Sequence, residues 1–170
     1  KGTPNDRWTL QSEYTLTQKN GSRPITGTFQ FTNVVELPEP IDQNIHDLRL
    51  FAEWNNRKWF LSTGYDFSLF QNNVDVLVWD NPLSDSDAIG NPGRGRFDLA
   101  PSNMAHLMTV TTGVNDLFWK SRLTGTFSYG LRFQNDAFVP YTINTAFTNS
   151  SLVLPANDLD GQVHTRTGTL

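Results

Sequence analysis

The chain has 170 residues and no cysteine. That absence excludes disulfides, thiol nucleophiles and Cys-ligated zinc, and with them the C-x-x-C-H motif that attaches c-type haem. No apolar run approaches the ~18 residues a membrane-crossing helix needs. No charged-then-apolar leader precedes the first strand pattern, so Lys1 is expected to be a mature terminus or the start of a fragment. A basic excess is missing too: 13 Lys and Arg stand against 17 Asp and Glu, for a formal charge of −4. A nucleic-acid partner, which needs a net basic face, is not expected.

Aromatic residues make up 12% of the chain, and Thr and Asn are abundant. Aromatic and β-branched side chains favour strands, while Gly, Asn and Pro punctuate them. Helical spacing is almost absent and strict alternation recurs, so the fold class is all-β. From Trp8, one face reads Trp8, Leu10, Ser12, Tyr14, Leu16 and the other Thr9, Gln11, Glu13, Thr15, Thr17. Asn20-Gly21 predicts a tight turn into a second strand over 25–35, with Phe29 and Phe31 on one face. Leu37-Pro38-Glu39-Pro40 is expected to end that strand, because proline cannot donate to a ladder. A third strand over 46–54 sets Leu48, Leu50, Ala52 and Trp54 against Asp47, Arg49, Phe51 and Glu53. In a fourth, over 58–70, Trp59, Leu61, Tyr65, Phe67 and Leu69 alternate with Ser62, Gly64, Asp66 and Ser68. Further strands follow over 104–112, over 122–133 (Leu123, Phe127, Tyr129, Leu131 and Phe133 against Arg122, Thr124, Thr126, Ser128 and Arg132) and from Val163.

Connections alternate in length. Short turns are expected near 19–23, 55–57 and 114–120, and long loops near 36–45, 71–103 and 134–161. An antiparallel up-and-down meander then carries all short turns at one end, as outer-membrane barrels do. Strands of about nine to thirteen residues suit a tilted bilayer crossing. Trp54, Trp59, Phe118 and Trp119 fall together at the short-turn end, as an aromatic girdle would. Glu13, Asp47, Arg49, Glu53, Asp66, Arg122 and Arg132 share the polar side. A soluble antiparallel sandwich also alternates apolar and polar residues and remains the competing architecture. About six or seven strands cannot close even an eight-stranded barrel, and an open edge in lipid leaves backbone groups unsatisfied. Residues 1–170 are therefore expected to be one segment of a longer barrel chain.

Gly64-Tyr65-Asp66-Phe67-Ser68-Leu69-Phe70-Gln71-Asn72, followed by Leu77-Val78-Trp79-Asp80-Asn81-Pro82-Leu83, resembles the MtrB/PioB-type decahaem-associated outer-membrane β-barrel family. Leu37-Pro38-Glu39-Pro40-Ile41-Asp42, Leu99-Ala100-Pro101-Ser102-Asn103, Arg122-Leu123-Thr124-Gly125 and Ser128-Tyr129-Gly130 fit the same family. So do Gln134-Asn135-Asp136-Ala137-Phe138-Val139-Pro140-Tyr141-Thr142 and Leu159-Asp160-Gly161-Gln162-Val163, all in order. The resemblance implies a large barrel in the outer membrane of a Gram-negative bacterium. It implies a sheath around a multihaem c-type cytochrome serving extracellular electron transfer, with an extracellular cytochrome as a possible further partner. Haem c would then be carried by the partner and no cofactor by this chain. The family-motif positions Gly64, Tyr65, Ser68, Phe70, Asn72, Trp79, Asn81, Pro82, Asp136, Phe138, Pro140 and Tyr141 are expected to be structural. Glu13, Arg49, Glu53, Asp66, Arg122 and Arg132 are the candidate lumen- or partner-facing residues. The family's N-terminal C-x-x-C has no counterpart here.

No enzyme is expected. His46, His106 and His164 lack ligand spacing and are expected to be ordinary strand or loop histidines, with lumen contacts as the alternative. Asp85-Ser86-Asp87-Ala88-Ile89-Gly90 and Asn157-Asp158-Leu159-Asp160-Gly161 lack the ligand ladder and closing Glu of a calcium loop; solvated loops are expected, a calcium site being the alternative. Gly90-Asn91-Pro92-Gly93-Arg94-Gly95-Arg96 has no Gly-Lys-Ser/Thr ending and no helix after it, so it is no P-loop. Gly125-Thr126-Phe127-Ser128-Tyr129-Gly130 has the wrong spacing for a nucleophile elbow. The sequons at Asn20 and Asn149 are expected to be coincidental. A sheath, a solute-conducting porin and a soluble all-β binding module are the competing functions. All three share the alternation; they differ in what covers each face.

Overall fold

The computed structural model describes residues 1–29, 33–147 and 154–170. Its strands are β1 (Gly2–Asn5), β2 (Trp8–Phe29), β3 (Asn33–Asn55), β4 (Trp59–Asn72), β5 (Val76–Asp80), β6 (Arg94–Asp98), β7 (Asn103–Val114), β8 (Leu123–Gln134) and β9 (Gly161–Thr169). Seven form one antiparallel sheet in the order β1-β2-β3-β4-β7-β8-β9, and β5 pairs with β6 apart from it. Apart from the β5–β6 hairpin inserted between β4 and β7, the sheet is a plain meander. One 3-10 turn, Phe118–Lys120, lies between β7 and β8.

The register fixes the faces, because residues directly opposite across an antiparallel pair share a side. Trp8 pairs with Trp54 and Trp54 with Leu61; Tyr14 pairs with Leu48, Leu48 with Phe67, and Phe67 with His106. That apolar side continues through Val110–Phe127 and Met104–Phe133. On the other side Glu13 pairs with Arg49, Arg49 with Asp66, Ser62 with Thr111, and Thr111 with Thr126. Among the described residues no second sheet covers the apolar side, where Phe127 is 53% exposed. A sandwich would bury it.

Two turn expectations are overturned. Asn20-Gly21 lies inside β2, with Asn20 opposite Asp42 and Gly21 opposite Ile41. Leu37-Pro38-Glu39-Pro40 lies inside β3. The expected first two strands are one, and the expected long loop near 36–45 is strand. Asn-Gly turns a chain only where its own flanks pair, and here β3 supplies the partner. Gly21 instead uses φ 146°, open to glycine, within the strand,. The prolines fit because Pro24 stands opposite Pro38 and Ser22 opposite Pro40. Two opposed prolines can form only a non-hydrogen-bonded pair, so their nitrogens face outward. The last β3–β4 pair is Gln43–Asn72, so beyond it those outward sides are free edges, where proline is tolerated. Phe31 lies outside the described residues, as does the Asn149 sequon.

The hairpin therefore projects past the sheet on the side of the long connections. Turns at 6–7, 56–58 and 115–122 occupy the opposite end, so the asymmetry of short and long ends stands although one expected short turn does not. Buried apolar residues gather at the long end: Phe29, Trp79 and Leu99. Trp79 meets Phe29 edge-on and lies 4.7 Å from Phe97, centroid to centroid. Gly27 and Gly95 make room, since a Cβ on either would strike the indole. Arg23 clasps Glu39 through Nε (2.7 Å) and Nη2 (2.9 Å) beneath this cluster.

Candidate functional site: the charged face of the sheet

Alternation in β2, β3, β4 and β8 places the charges in neighbouring rows. Arg49 Nε donates to Asp66 Oδ1 at 2.8 Å, and Glu13 stands opposite Arg49. Asp47 lies between Thr15 and Ser68, and Arg132 between Ala105 and Val163. Glu13, Asp47, Arg49, Asp66, Ser68 and Arg132 line a concavity of about 560 Å³. Glu53 sits toward the short-turn end, opposite Thr9 and Ser62. Arg122 precedes β8, its guanidinium 4.8 Å above the Phe60 ring. Of the six candidates, the sheet brings Glu13, Arg49, Asp66 and Arg132 together and leaves Glu53 and Arg122 apart. Hydroxyls fill the rows between, Thr111 and Thr126 touching at 3.1 Å.

This arrangement offers hydrogen bonds and charge of both signs over a broad, hydrated surface. Among the described residues no three His, Asp or Glu gather as a metal site. Asp87, in the stretch weighed for calcium, has both oxygens engaged: Oδ1 accepts from Gly93 N–H (2.9 Å), and Oδ2 from Thr145 N–H (2.9 Å) and Oγ1 (2.8 Å). Those donors hold its carboxyl below the usual aspartate range,.

The motif positions divide. Gly64 and Ser68 lie on the charged face of β4, as does Phe70 at its end, and Tyr65 lies on the apolar face. Asn72 is buried where β4 ends, its Nδ2 donating to Val74 O (2.8 Å) and Ala100 O (2.9 Å). Asn81 Nδ2 donates to Pro92 O at 2.8 Å and its Oδ1 accepts from Leu83 N–H, with exposed Pro82 between. Asp136 accepts from Ala137 N–H. Phe138 N–H donates to Asn157 O, Pro140 O accepts from Arg96, and Tyr141 is exposed. Most of these residues shape the long connections rather than the charged face.

Sequence reasoning missed the latch of Asp87, Gly93 and Thr145, joined by Asn144 Nδ2 donating to Ala88 O at 2.9 Å. Asp87 and Thr145, like Ala88 and Asn144, lie more than fifty residues apart, beyond the reach of any local pattern. It also missed the histidines' setting. All three lie on the apolar face, opposite Leu16, Phe67 and Leu131.

One exposed apolar side and one charged side, with short turns at one end and long connections at the other, are what a membrane β-wall requires. The model of the MtrB/PioB outer membrane beta-barrel porin family matches residues 1–170. The chain belongs to that family. A curated relative, outer membrane protein MtrB of Shewanella baltica (strain OS185), is 25% identical over 109 residues, covering 64% of this chain and 15% of that protein. MtrB/PioB membership puts the chain in the outer membrane as part of a barrel and removes the soluble-module alternative. In barrels of this kind the apolar band is the side that faces lipid. The sheet is open, with β1 and β9 at its two edges.

Proposed function

We propose that this chain is part of an outer-membrane β-barrel sheath holding a multihaem c-type cytochrome across the membrane for extracellular electron transfer. The observation that carries the reading is the charged concavity around Arg49 and Asp66, together with the MtrB likeness. A water-filled pore needs polar lining, but a wall gripping a folded partner gains most from charges of both signs set in rows, which fix register and orientation. In this role the wall excludes lipid and keeps the partner's haems close enough for electron tunnelling. The haem belongs to the partner, because a chain without cysteine cannot carry it covalently. The long connections, facing outward, are the surface an extracellular cytochrome would meet.

A reduced-minus-oxidised visible spectrum of the native, detergent-solubilised assembly tests this. A c-type haem signal tracking the polypeptide through purification is the expected result. A haem-free barrel that conducts ions in planar bilayers overturns it in favour of a solute-conducting porin.

A further inference from the structure

Three tyrosine–histidine pairs stand on the lipid-facing side, and the lumen reading uses none of them. Tyr14 OH lies 2.7 Å from His46 Nδ1, Tyr65 OH 2.8 Å from His106 Nδ1, and Tyr129 OH 3.0 Å from His164 Nδ1. These are all the histidines in the chain. Each pair spans two strands joined at the long end, β2/β3, β4/β7 and β8/β9. In each, the histidine sits diagonally, one step nearer the long connections than the residue opposite its tyrosine.

Their depth follows from the rows around them. Trp8, Trp54 and Trp59 mark the short-turn end of the face. Gln18, Asn44 and Gln71 form an amide row at the other end, Gln18 Nε2 donating to Asn44 Oδ1 at 3.1 Å. Trp59 to Leu69 at ~3.3 Å per residue and a tilt of ~40° rises ~25 Å, the height of an apolar barrel band. Tyr14–His46 lies just inside the amide row, and Tyr65–His106 reaches from the middle of the band toward it.

The third pair has a charge beside it. Arg166 stands directly opposite Tyr129, with its guanidinium 5.7 Å from the ring centroid. It is the one Lys, Arg, Asp or Glu on this face between the Trp and amide rows, among the described residues. A guanidinium against lipid is unfavourable unless it reaches the interface or an anion. Arginine reaches by extending its stem, and its planar fork matches phosphate. In the tautomer in which Nδ1 accepts from the Tyr129 hydroxyl, His164 presents Nε2–H as a further donor.

We propose that Tyr129, His164 and Arg166 form an outer-wall site for a phosphate of an outer-leaflet lipid headgroup, with Tyr14–His46 and Tyr65–His106 as repeats that lack the arginine. The site depends on barrel orientation and not on what fills the lumen.

The test uses the full-length barrel protein, incubated in detergent with diphosphoryl lipid A, re-isolated and examined by native mass spectrometry. Heat-modifiable gel mobility verifies that each variant is folded. Arg166→Gln is expected to retain about tenfold less lipid A, the loss of one charge-assisted contact, and His164→Phe also less. Arg166→Lys should restore part of the difference. Arg57→Gln, an identical charge change in the β3–β4 turn, should retain the wild-type amount. Equal retention by wild type and Arg166→Gln overturns the proposal, as does equal binding of dephosphorylated lipid A. Displacement by equimolar inorganic phosphate also overturns it, by revealing a general anion site.

Discussion

Phe29, near the tip of the β2–β3 hairpin, packs edge-on against Trp79 of β5, with ring centroids 5.9 Å apart at 60°. Fifty residues separate them in sequence, and their contact ties the projecting hairpin to the β5–β6 insert. With Leu99 they are the buried apolar residues of the described chain, so the long end holds its own small core while the sheet leaves its core-making to lipid.

Trp79→Ala should therefore loosen the long end alone. Removing a buried aromatic costs about 3–5 kcal/mol, charged here to local opening of β5 and β6. Hydrogen exchange should rise at Leu77 and Gly95 while amides of β4, β7 and β8 keep their protection. A uniform rise across the sheet would show that the cap is not an independent unit.

Phe127 and Thr126 offer the sharpest test of which side meets lipid. Phe127 stands between Val110 and Gly168, and Thr126 between Thr111 and Thr169. In the complete barrel, Phe127→Arg should destabilise by about 2–4 kcal/mol, and Thr126→Arg by much less. Denaturant titration of folding into vesicles measures both, and a reversed order would exchange the two faces.

What was legible in the sequence was what period two encodes. Faces of β3, β4 and β8, including the positions of Arg49, Asp66 and Arg132, follow from alternation because a strand has only two sides. Turn chemistry was less secure. Asn20-Gly21 and Pro38-Glu39-Pro40 carry breaker signals whose meaning depends on the partner: glycine and edge proline are as compatible with a long free hairpin as with a turn. Pairings across loops were invisible. Nothing local to Tyr65 points to His106, nor does anything near Asp87 point to Thr145. Those contacts exist only once the meander has set the register.

The Asp87 latch makes a pH prediction. Its carboxyl is held below the ordinary aspartate value chiefly by the Thr145 backbone and side-chain donors, then by Gly93 N–H. A depressed folded-state pKa gives stability that is fully present above the unfolded value, about 3.9, and is lost as pH falls through the lower, folded value. The joined loops should thus stay protected through mildly acidic conditions and open only in strong acid. Asp87→Asn removes the charge at every pH. Protection of the Gly93 and Thr145 amides, relative to their intrinsic exchange rates, should be lower in that variant at neutral pH and unchanged by acid; a variant as protected as wild type would refute the latch.

Arg49 tests the grip on a partner. Its side chain is 68% exposed and that of Asp66 45%, so the pair is hydrated and adds little to barrel stability. Arg49→Glu sets a third negative charge beside Glu13 and Asp66 without touching the lipid face. If the concavity meets a folded cytochrome, the haem-to-barrel ratio after purification should fall, and fall further as salt rises, because a partner attracted by rows of charge loses what screening removes. Heat-modifiable mobility should be unchanged. If haem retention is unchanged at all salt concentrations, these charges line water rather than a partner. The double change Arg49→Asp with Asp66→Arg separates the possibilities further. It restores the internal pair but exchanges its polarity, so a wall that merely needs neutral pairing recovers, while one that reads a partner's charges does not.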